Sequence, residues 1–546
     1  MISRTHRSAR PAVRRIALAL ARQFCLLLAV FIALPSFAAA PPGADLFANG
    51  AVLRLQITIP PEGLASLRTN SRKHVTAVLR EGTNTYLRVG IHLKGSTGSF
   101  RPLDAKPALT VSFDQFAPAT PFHGLRKIHL NNSVEDPSYM NELLGGEIFR
   151  AAGVPAARVA HALVELNGRR LGLYVLKEGF TEEFLGLHFR QTTGNLYDTG
   201  AGHDVDEALE KDLGANPNDR SDLDALVAAA REPDLPTRST RLQRTLDTDR
   251  FLTFMALEIV LGHRDGYSLA RNNFRLYHDP ESDRLIFLPH GMDQLFGNPR
   301  APLTPKMNGL VARAVMETPE GRRAYRARVG LLMTNVIHLA TLHQRIDATL
   351  VGLRLALEKK EAKALEQAAA TLHQRIDERL HAVEQQLLEP PPEPLRFENG
   401  FAPLPFSLWQ KTDVPAGGSL VATNAPDGRR ALVIHAGPVT AAAWRCRARL
   451  PAGRYQFEGA VRAAGVVSLK FGKNHGATLR TGPAVRALPL LGDQPWTTRQ
   501  VPLEVQGTEE EMEFICELRA SQGTAWFAVD SLRLVRLPPW PAQPAP

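Results

Sequence analysis

Apolar residues recur at every second position through the first part of the chain. Leu53, Leu55, Ile57 and Ile59 alternate with polar neighbours, as do Leu87, Val89, Ile91 and Leu93, and then Leu109, Val111 and Phe113. A period of two lines one face of a β-strand, so the pattern predicts strands between Ala51 and about Phe116, with another over Leu125–Asn131. Asp136-Pro137 reads as an acidic N-cap with proline in the first turn. The helix it opens carries Met140, Leu143, Leu144 and Ile148 on one face and stops near Gly153-Val154-Pro155. Asn167-Gly168 predicts a tight hairpin over residues 159–178. Residues 202–246 are charged and predict a helix-loop insertion on the surface.

Further on the period lengthens. Phe251, Phe254, Met255 and Ile259 mark a helix over Asp249–Leu261, followed by strands at 272–278 and 284–289. From Gly309 to Leu388 the pattern is helical, and TLHQRID occurs twice, at Thr341–Asp347 and Thr371–Asp377. That repeat predicts either a duplicated helix or an antiparallel pair of core helices. A stiff Pro-rich linker spans 390–395. Beyond it, short strands separated by Gly, Pro and Asn turns predict an all-β sandwich or jelly roll over 396–537, with a disordered Pro-rich tail at 538–546. The fold class is thus α+β: a mixed domain over 41–389, helical from 309, followed by the sandwich.

Composition adds compartment and excludes one partner. At 546 residues two or three domains are expected. The net charge of +10 invites a nucleic-acid reading, but Arg4, Arg7, Arg10, Arg14, Arg15 and Arg22 crowd the leader. Elsewhere Arg alternates with Asp and Glu, and no basic run is interleaved with aromatics, so nucleic acid is not an expected partner. The leader joins those arginines to FCLLLAVFIALPSFA and small residues, which predicts an export signal over 1–40 cut after Ala38 or Ala40. Arg14-Arg15 weakly resembles a twin-arginine signal. A secreted or periplasmic protein is expected, with an uncleaved anchor as the lesser alternative and no transmembrane segment in the mature chain. Cys446 and Cys516 remain after cleavage; they make no zinc site, and a disulfide or two buried thiols are equally open. Trp409, Trp444, Trp496 and Trp526 offer the sandwich either core packing or a surface on which a polysaccharide could stack.

Chemistry concentrates between Gly262 and Asn298. His263-Arg264-Asp265 is followed by the pair Asn272-Asn273 opening a strand, then by Asp293 just past another strand and before Phe296-Gly297. A carboxylate to orient a hydroxyl, with two further oxygen ligands on adjacent strand ends, suits phosphoryl transfer from a metal nucleotide. A glycosidase reading would leave the asparagine pair without a task. Upstream, Lys94-Gly95-Ser96-Thr97-Gly98 follows a strand and offers backbone amides and hydroxyls to phosphates. Lys106 precedes the strand ALTVSF, and Glu142 lies on the next helix, where a Lys–Glu pair would orient a nucleotide.

These pieces, in this order over residues 52–385, resemble the CotH family of atypical kinases, named for a spore-coat protein. The matching stretches are LKGSTGSF…KPALTVSF, FHGLRKIHLNNSVEDPSYMNELLGGEIFRAAGVPAARV, LVELNGRRLGLYVLKEGFTEEFL, GNLYD and HRDGYSLARNNFRLY…FLPHGMDQLFG. The resemblance implies an atypical, two-lobed kinase-like domain, ATP with Mg²⁺ or Mn²⁺, and transfer of phosphate to Ser/Thr hydroxyls of proteins outside the cytoplasm. It implies Asp265 as the catalytic acid and Asn273 and Asp293 as metal-holding residues. Lys106 would be the phosphate-contacting lysine with Lys94 as fallback, Glu142 its partner, and Ser96 and Glu178 nucleotide-lining. One departure stands out: many relatives carry Pro-Trp-Asp-x-Asp where this chain has Pro289-His290-Gly291-Met292-Asp293. One carboxylate fewer leaves open an inactive kinase acting as an interaction protein, its sandwich binding a protein or polysaccharide.

Overall fold

The computed structural model describes residues 40–538, leaving out 49, 97, 117–119, 201, 391–394, 413 and 483–484. The expected export signal, most of the Pro-rich linker and the tail from 539 lie outside the described residues. Among the described residues no helix is long and apolar enough to cross a membrane.

The alternating strands close on themselves. They are β1 (Val52–Thr58), β2 (Val75–Glu81), β3 (Asn84–Lys94), β4 (Ala108–Ser112) and β5 (Lys127–Asn131), then, after helix α1 (Asn141–Ala151), β6 (Val159–Leu166) and β7 (Arg169–Glu178). The barrel order is β1-β2-β3-β4-β5-β7-β6, with β6 returning parallel to β1. Closure leaves no open sheet edge and buries Leu55, Ile57, Leu79, Val89, Ile91, Val111, Ile128 and Leu176 inside. The hairpin turn has Asn167 at φ 48° and Gly168 at φ 79°, the double positive-φ pair of a type I′ turn. Asn167 also clips the hairpin to the end of β1: its side chain accepts from Ile59 N at 2.9 Å and donates to Ile59 O at 2.7 Å. Asn167→Ala is expected to cost about 1–2 kcal/mol, read as a lower urea midpoint; an unchanged midpoint would remove this clip from the account.

Helix α1 starts later than Asp136. Tyr139 takes φ 60° and breaks the first turn, so Asp136 caps from a distance, accepting from Ser138 N and Asn141 N, both at 2.9 Å. The helix stops where expected: Gly153 takes φ 80°, and Val154 N bonds back to Phe149 O at 2.9 Å, a left-handed C-terminal cap.

A second sheet follows, built from β8 (Leu196–Asp198), β9 (Glu210–Leu213), β10 (Phe274–Asp279) and β11 (Arg284–Pro289) in the order β11-β10-β8-β9, with helix α2 (Thr248–Val260) packed against it. The stretch 202–246 is no surface insertion. Its helices Ser221–Ala230 and Leu235–Thr245 bury Leu223, Leu226, Ala229 and Leu242 in the main core.

The helical part contains α3 (Pro319–Asn335), α4 (Leu339–Ala356) and α5 (Lys359–Leu388). The repeated heptads lie on α4 and α5 as an antiparallel pair. His343 meets Asp377 at 2.9 Å, His373 meets Asp347 at 3.0 Å, and the two imidazoles stand edge to face 4.5 Å apart. Arg379 on α5 is fully buried and donates to Ile259 O and Val260 O at 2.7 and 2.9 Å, and to Pro299 O and Ala301 O. It thereby supplies donors to the last carbonyls of α2, two residues before the His-Arg-Asp turn.

The C-terminal strands are β12 (Ser419–Asn424), β13 (Arg430–His435), β14 (Thr440–Val467), β15 (Gly476–Thr481), β16 (Gly492–Ala520) and β17 (Gln522–Ala528), hydrogen-bonded in the order β12-β13-β17-β14-β16-β15. Short strands are present as expected, and two strands of 28 and 29 residues run among them; bulges near Gly453 and Ala463 let the long strands bend. Cys446 and Cys516 are free and buried, because the register sets Cys446 opposite Phe514 and Cys516 opposite Trp444. Burial pushes the Cys446 thiol up to about 12. Trp409 and Trp444 pack in the core with their indole N–H groups donating to Leu404 O and Val433 O. The C-terminal β-sheet region touches the helical part through Lys306–Glu510 at 3.2 Å, Arg322–Glu509 at 2.5 Å and Thr304–Glu511 at 2.9 Å.

Candidate active site

A cleft of about 860 Å³ lies between the barrel wall and the second sheet, and Lys94, Ser96, Glu142, Asp265, Asn273 and Asp293 all line it. That volume suits a ligand the size of a nucleotide. Lys106 and Glu178 are not among the lining residues.

Alternation along β7 decides which side chain faces the cleft. Glu178 points away and is fully buried against Arg158, with contacts of 2.6 and 3.0 Å to the guanidinium and 3.1 Å to its backbone N–H. Its neighbour Lys177 points toward the cleft floor. Lys177 Nζ donates to Glu142 Oε2 at 2.8 Å and to His290 Nδ1 at 3.2 Å, with both members of the ion pair essentially without solvent exposure. The expected Lys106–Glu142 pair is therefore replaced by Lys177–Glu142. Lys106 donates instead to Tyr139 Oη at 2.7 Å and lies over the Tyr139 and Tyr174 rings; burial pulls its ammonium down to about 8.

Lys94, the alternative lysine, stands beside that pair. Its Nζ donates to Asn131 Oδ1 at 2.8 Å, and Asn131 reaches Glu142 at 3.4 Å. Desolvation, followed by the nearby Lys177 charge, pulls Lys94 down to about 8. Burial and then the Lys177 cation hold His290 well below the usual imidazole range, so it accepts as a neutral ring. Lys94 is the lysine of the two that opens onto the cleft, bonded to a neutral amide.

Asp265 is held by the asparagine pair. Asn272 Nδ2 donates to its Oδ2 at 3.1 Å, and Asn273 Nδ2 donates to the same oxygen at 2.7 Å and to Asp265 O at 3.1 Å. The Asn273 amide nitrogen is thus committed, which aims its oxygen at Gly291. A Cβ on Gly291 would lie 2.1 Å from Asn273 Oδ1, and Gly291 takes φ 53°. Glycine is required here both by conformation and by the side chain occupying the space.

Helix α1 sets the position of Asp293. Asn141 Nδ2 donates to Asp293 O at 2.9 Å, and a Cβ on Gly145 would strike Leu295 at 2.8 Å and Met292 Sδ at 2.9 Å. Glu142 is carried on the same helix turn, so Asp293 sits among like charges. Desolvation first, then Glu142 and Glu135, pushes its carboxyl up to about 7. Such a carboxylate is costly without a cation. Among the described residues no group of three or more His, Cys, Asp or Glu is arranged to hold a metal ion. Asp293 and Asn273 both line the cleft as oxygen donors, the donor type that could take part in holding Mg²⁺.

Glu258 organises the Asp265 turn from below. Its buried carboxylate accepts from Tyr267 N at 2.7 Å, Ser268 N at 2.9 Å and Ser268 Oγ at 2.6 Å. Burial outweighs those donors and pushes it up to about 7. Glu258→Ala is expected to cost about 2–3 kcal/mol by orphaning buried donors, seen as a lower denaturation midpoint; a loss under about 0.5 kcal/mol would contradict this role. Opposite, Arg275 pairs with Asp198 at 2.6 Å and Asp212 at 3.1 Å and lies over the Phe180 ring. Glu258 and Arg379 lie outside the matching stretches, and Lys177, Asn131 and Arg275 lie within them with no role assigned; Lys177, facing opposite to Glu178 on a predicted strand, carries a readable signal.

A family model described as CotH kinase protein matches residues 91–385, more than half of the chain. Invasin CotH2 of Rhizopus delemar is 28% identical over 188 residues, 31% of this chain and 32% of the invasin. Inner spore coat protein H of Bacillus subtilis is 25% identical over 206 residues, 35% of this chain and 55% of that protein. The match thus spans about a third of the invasin and about half of the coat protein. Among solved structures, the Shewanella oneidensis HipA–HipB–operator DNA complex aligns with 54% of this chain and 69% of that one, at 12% identity and a TM-score of 0.28. TmCBM61 in complex with β-1,4-galactotriose aligns with 24% of this chain and 91% of that one, at 17% identity and a TM-score of 0.19. At those scores neither likeness carries an argument.

Proposed function

Because the chain belongs to the CotH kinase protein family, we propose that its cleft binds ATP with Mg²⁺ or Mn²⁺ and phosphorylates Ser/Thr hydroxyls of a protein outside the cytoplasm. The observation that carries the reading is the convergence of Lys94, Glu142, Asp265, Asn273 and Asp293 on one cleft, with Lys177 buried behind Glu142. Kinase-like lobes would meet across that cleft, the barrel above and the second sheet with its helices below. When bound, the metal would supply positive charge that offsets the phosphates. Asp293 and Asn273 Oδ1 would hold it. Lys94 would meet a phosphate oxygen, while Lys177, held by Glu142 and neutral His290, fixes the wall behind it. Asp265, oriented by Asn272 and Asn273, would accept the proton of the attacking hydroxyl. Ser96 and the glycines beside it would let backbone amides approach the nucleotide.

A second reading rests on Gly291. With one carboxylate fewer at the metal position, the cleft would not take up a metal nucleotide, and the protein would act through its surfaces as an exported interaction protein. Thermal-shift titration tests the first requirement of the leading reading. Stabilisation by ATP that needs Mg²⁺ or Mn²⁺ and is lost in Asp293→Asn is the expected result. Equal melting with and without nucleotide and metal would sink it and favour the second reading.

A further inference from the structure

The sandwich has two aromatic side chains that its core does not use. Along β13 and β17, Leu432, Ile434, Ala525 and Phe527 face the core, so Val433 and Trp526 between them face outward. Cross-strand register sets Val421, Val433, Trp526 and Arg462 in one row across β12, β13, β17 and β14. Trp496, at the start of β16, joins the same face: both indoles pack on Ala425, Ala431 and Val433 and stay half-buried.

Polar partners fix both rings. Trp496 Nε1 donates to Asp427 at 2.5 Å, and the Arg429 guanidinium lies 5.1 Å from the Trp496 ring while pairing with Asp530 at 2.9 Å. Arg462 lies 5.7 Å from the Trp526 ring. The indoles are therefore held in place before any ligand arrives, which lowers the ordering cost of binding.

We propose that this outer face is a binding site for neutral polysaccharide. A sugar ring presents an apolar C–H face and a rim of hydroxyls. An indole surface matches the first, and guanidinium and carboxylate groups, with planar paired donors and acceptors, match the second. Charge selects among polymers. Arg429 and Arg462 are balanced by Asp427 and Asp530, so the face lacks the excess of cations that nucleic acid or an acidic glycan requires. This site is remote from the cleft in sequence and does not depend on the kinase reading.

The test uses the full mature chain and affinity electrophoresis through gels containing xylan, β-glucan or galactan, with polygalacturonate as the acidic comparison. Wild type is expected to be retarded by at least one neutral polymer. Trp526→Ala and Arg462→Met should each weaken that retardation about tenfold, with unchanged melting temperature, and Asp265→Asn should leave it intact. If Trp526→Ala melts early, Trp526→Phe and Arg462→Met decide. Retardation by polygalacturonate alone, no retardation by any neutral polymer, or equal retardation of wild type and the Trp526 and Arg462 variants would overturn the proposal.

Discussion

Lys177→Met is expected to destabilise the protein by about 3–5 kcal/mol and to remove metal-dependent nucleotide binding. The size follows from burial: Lys177 and Glu142 meet at 2.8 Å with side-chain exposures of 0% and 3%. Removing one partner of such a pair leaves an uncompensated charge in a poorly solvated site. The double change Lys177→Met with Glu142→Leu should recover much of the lost stability, because neither charge is then stranded, yet it should not recover nucleotide binding. Urea denaturation of the two single variants and the double variant measures both sides. Additive losses would show that the two side chains do not act as a pair.

Asp265→Asn is expected to lower phosphate transfer about 10²–10⁴-fold, the range for losing a positioned general base. Folding should be little affected, since Asp265 is only partly buried and the asparagine pair can still donate to the remaining carbonyl oxygen. Nucleotide affinity should likewise stay near wild type, which separates this variant from Lys177→Met. An Asp265→Asn protein with wild-type turnover would remove that residue from the chemistry.

Much of this site was legible because its chemistry is written in short contiguous motifs. Asp265 and Asn273 hold each other within nine residues, Asp293 lies in the next motif, and all three line the cleft. The lysine was harder to place. In an ordinary kinase order the lysine strand precedes the glutamate helix, which points upstream to Lys106. Here the partner of Glu142 lies downstream, on a strand that the parallel β1–β6 closure brings into the barrel. On that strand a shift of one residue exchanges the two faces, which separates Glu178 from Lys177. Arg379 was beyond local reading, since its partners lie 78 to 120 residues away. The same holds for 202–246: its charges suggested exposure, but Leu223, Leu226 and Leu242 lie deep in the main core. In the C-terminal region, Gly, Pro and Asn marked turns well, yet Pro451 and Pro502 lie inside long strands: a register shift follows Pro451, while Pro502 pairs in register with Gln456.

The most direct test of the central claim is transfer of labelled γ-phosphate from ATP by the full mature chain, with Mn²⁺, with Mg²⁺ and with the metals chelated. Label is expected on protein serine or threonine, disappearing on chelation and in Asp293→Asn and falling sharply in Asp265→Asn. Label that persists without metal, or appears equally in wild type and both variants, would contradict that claim.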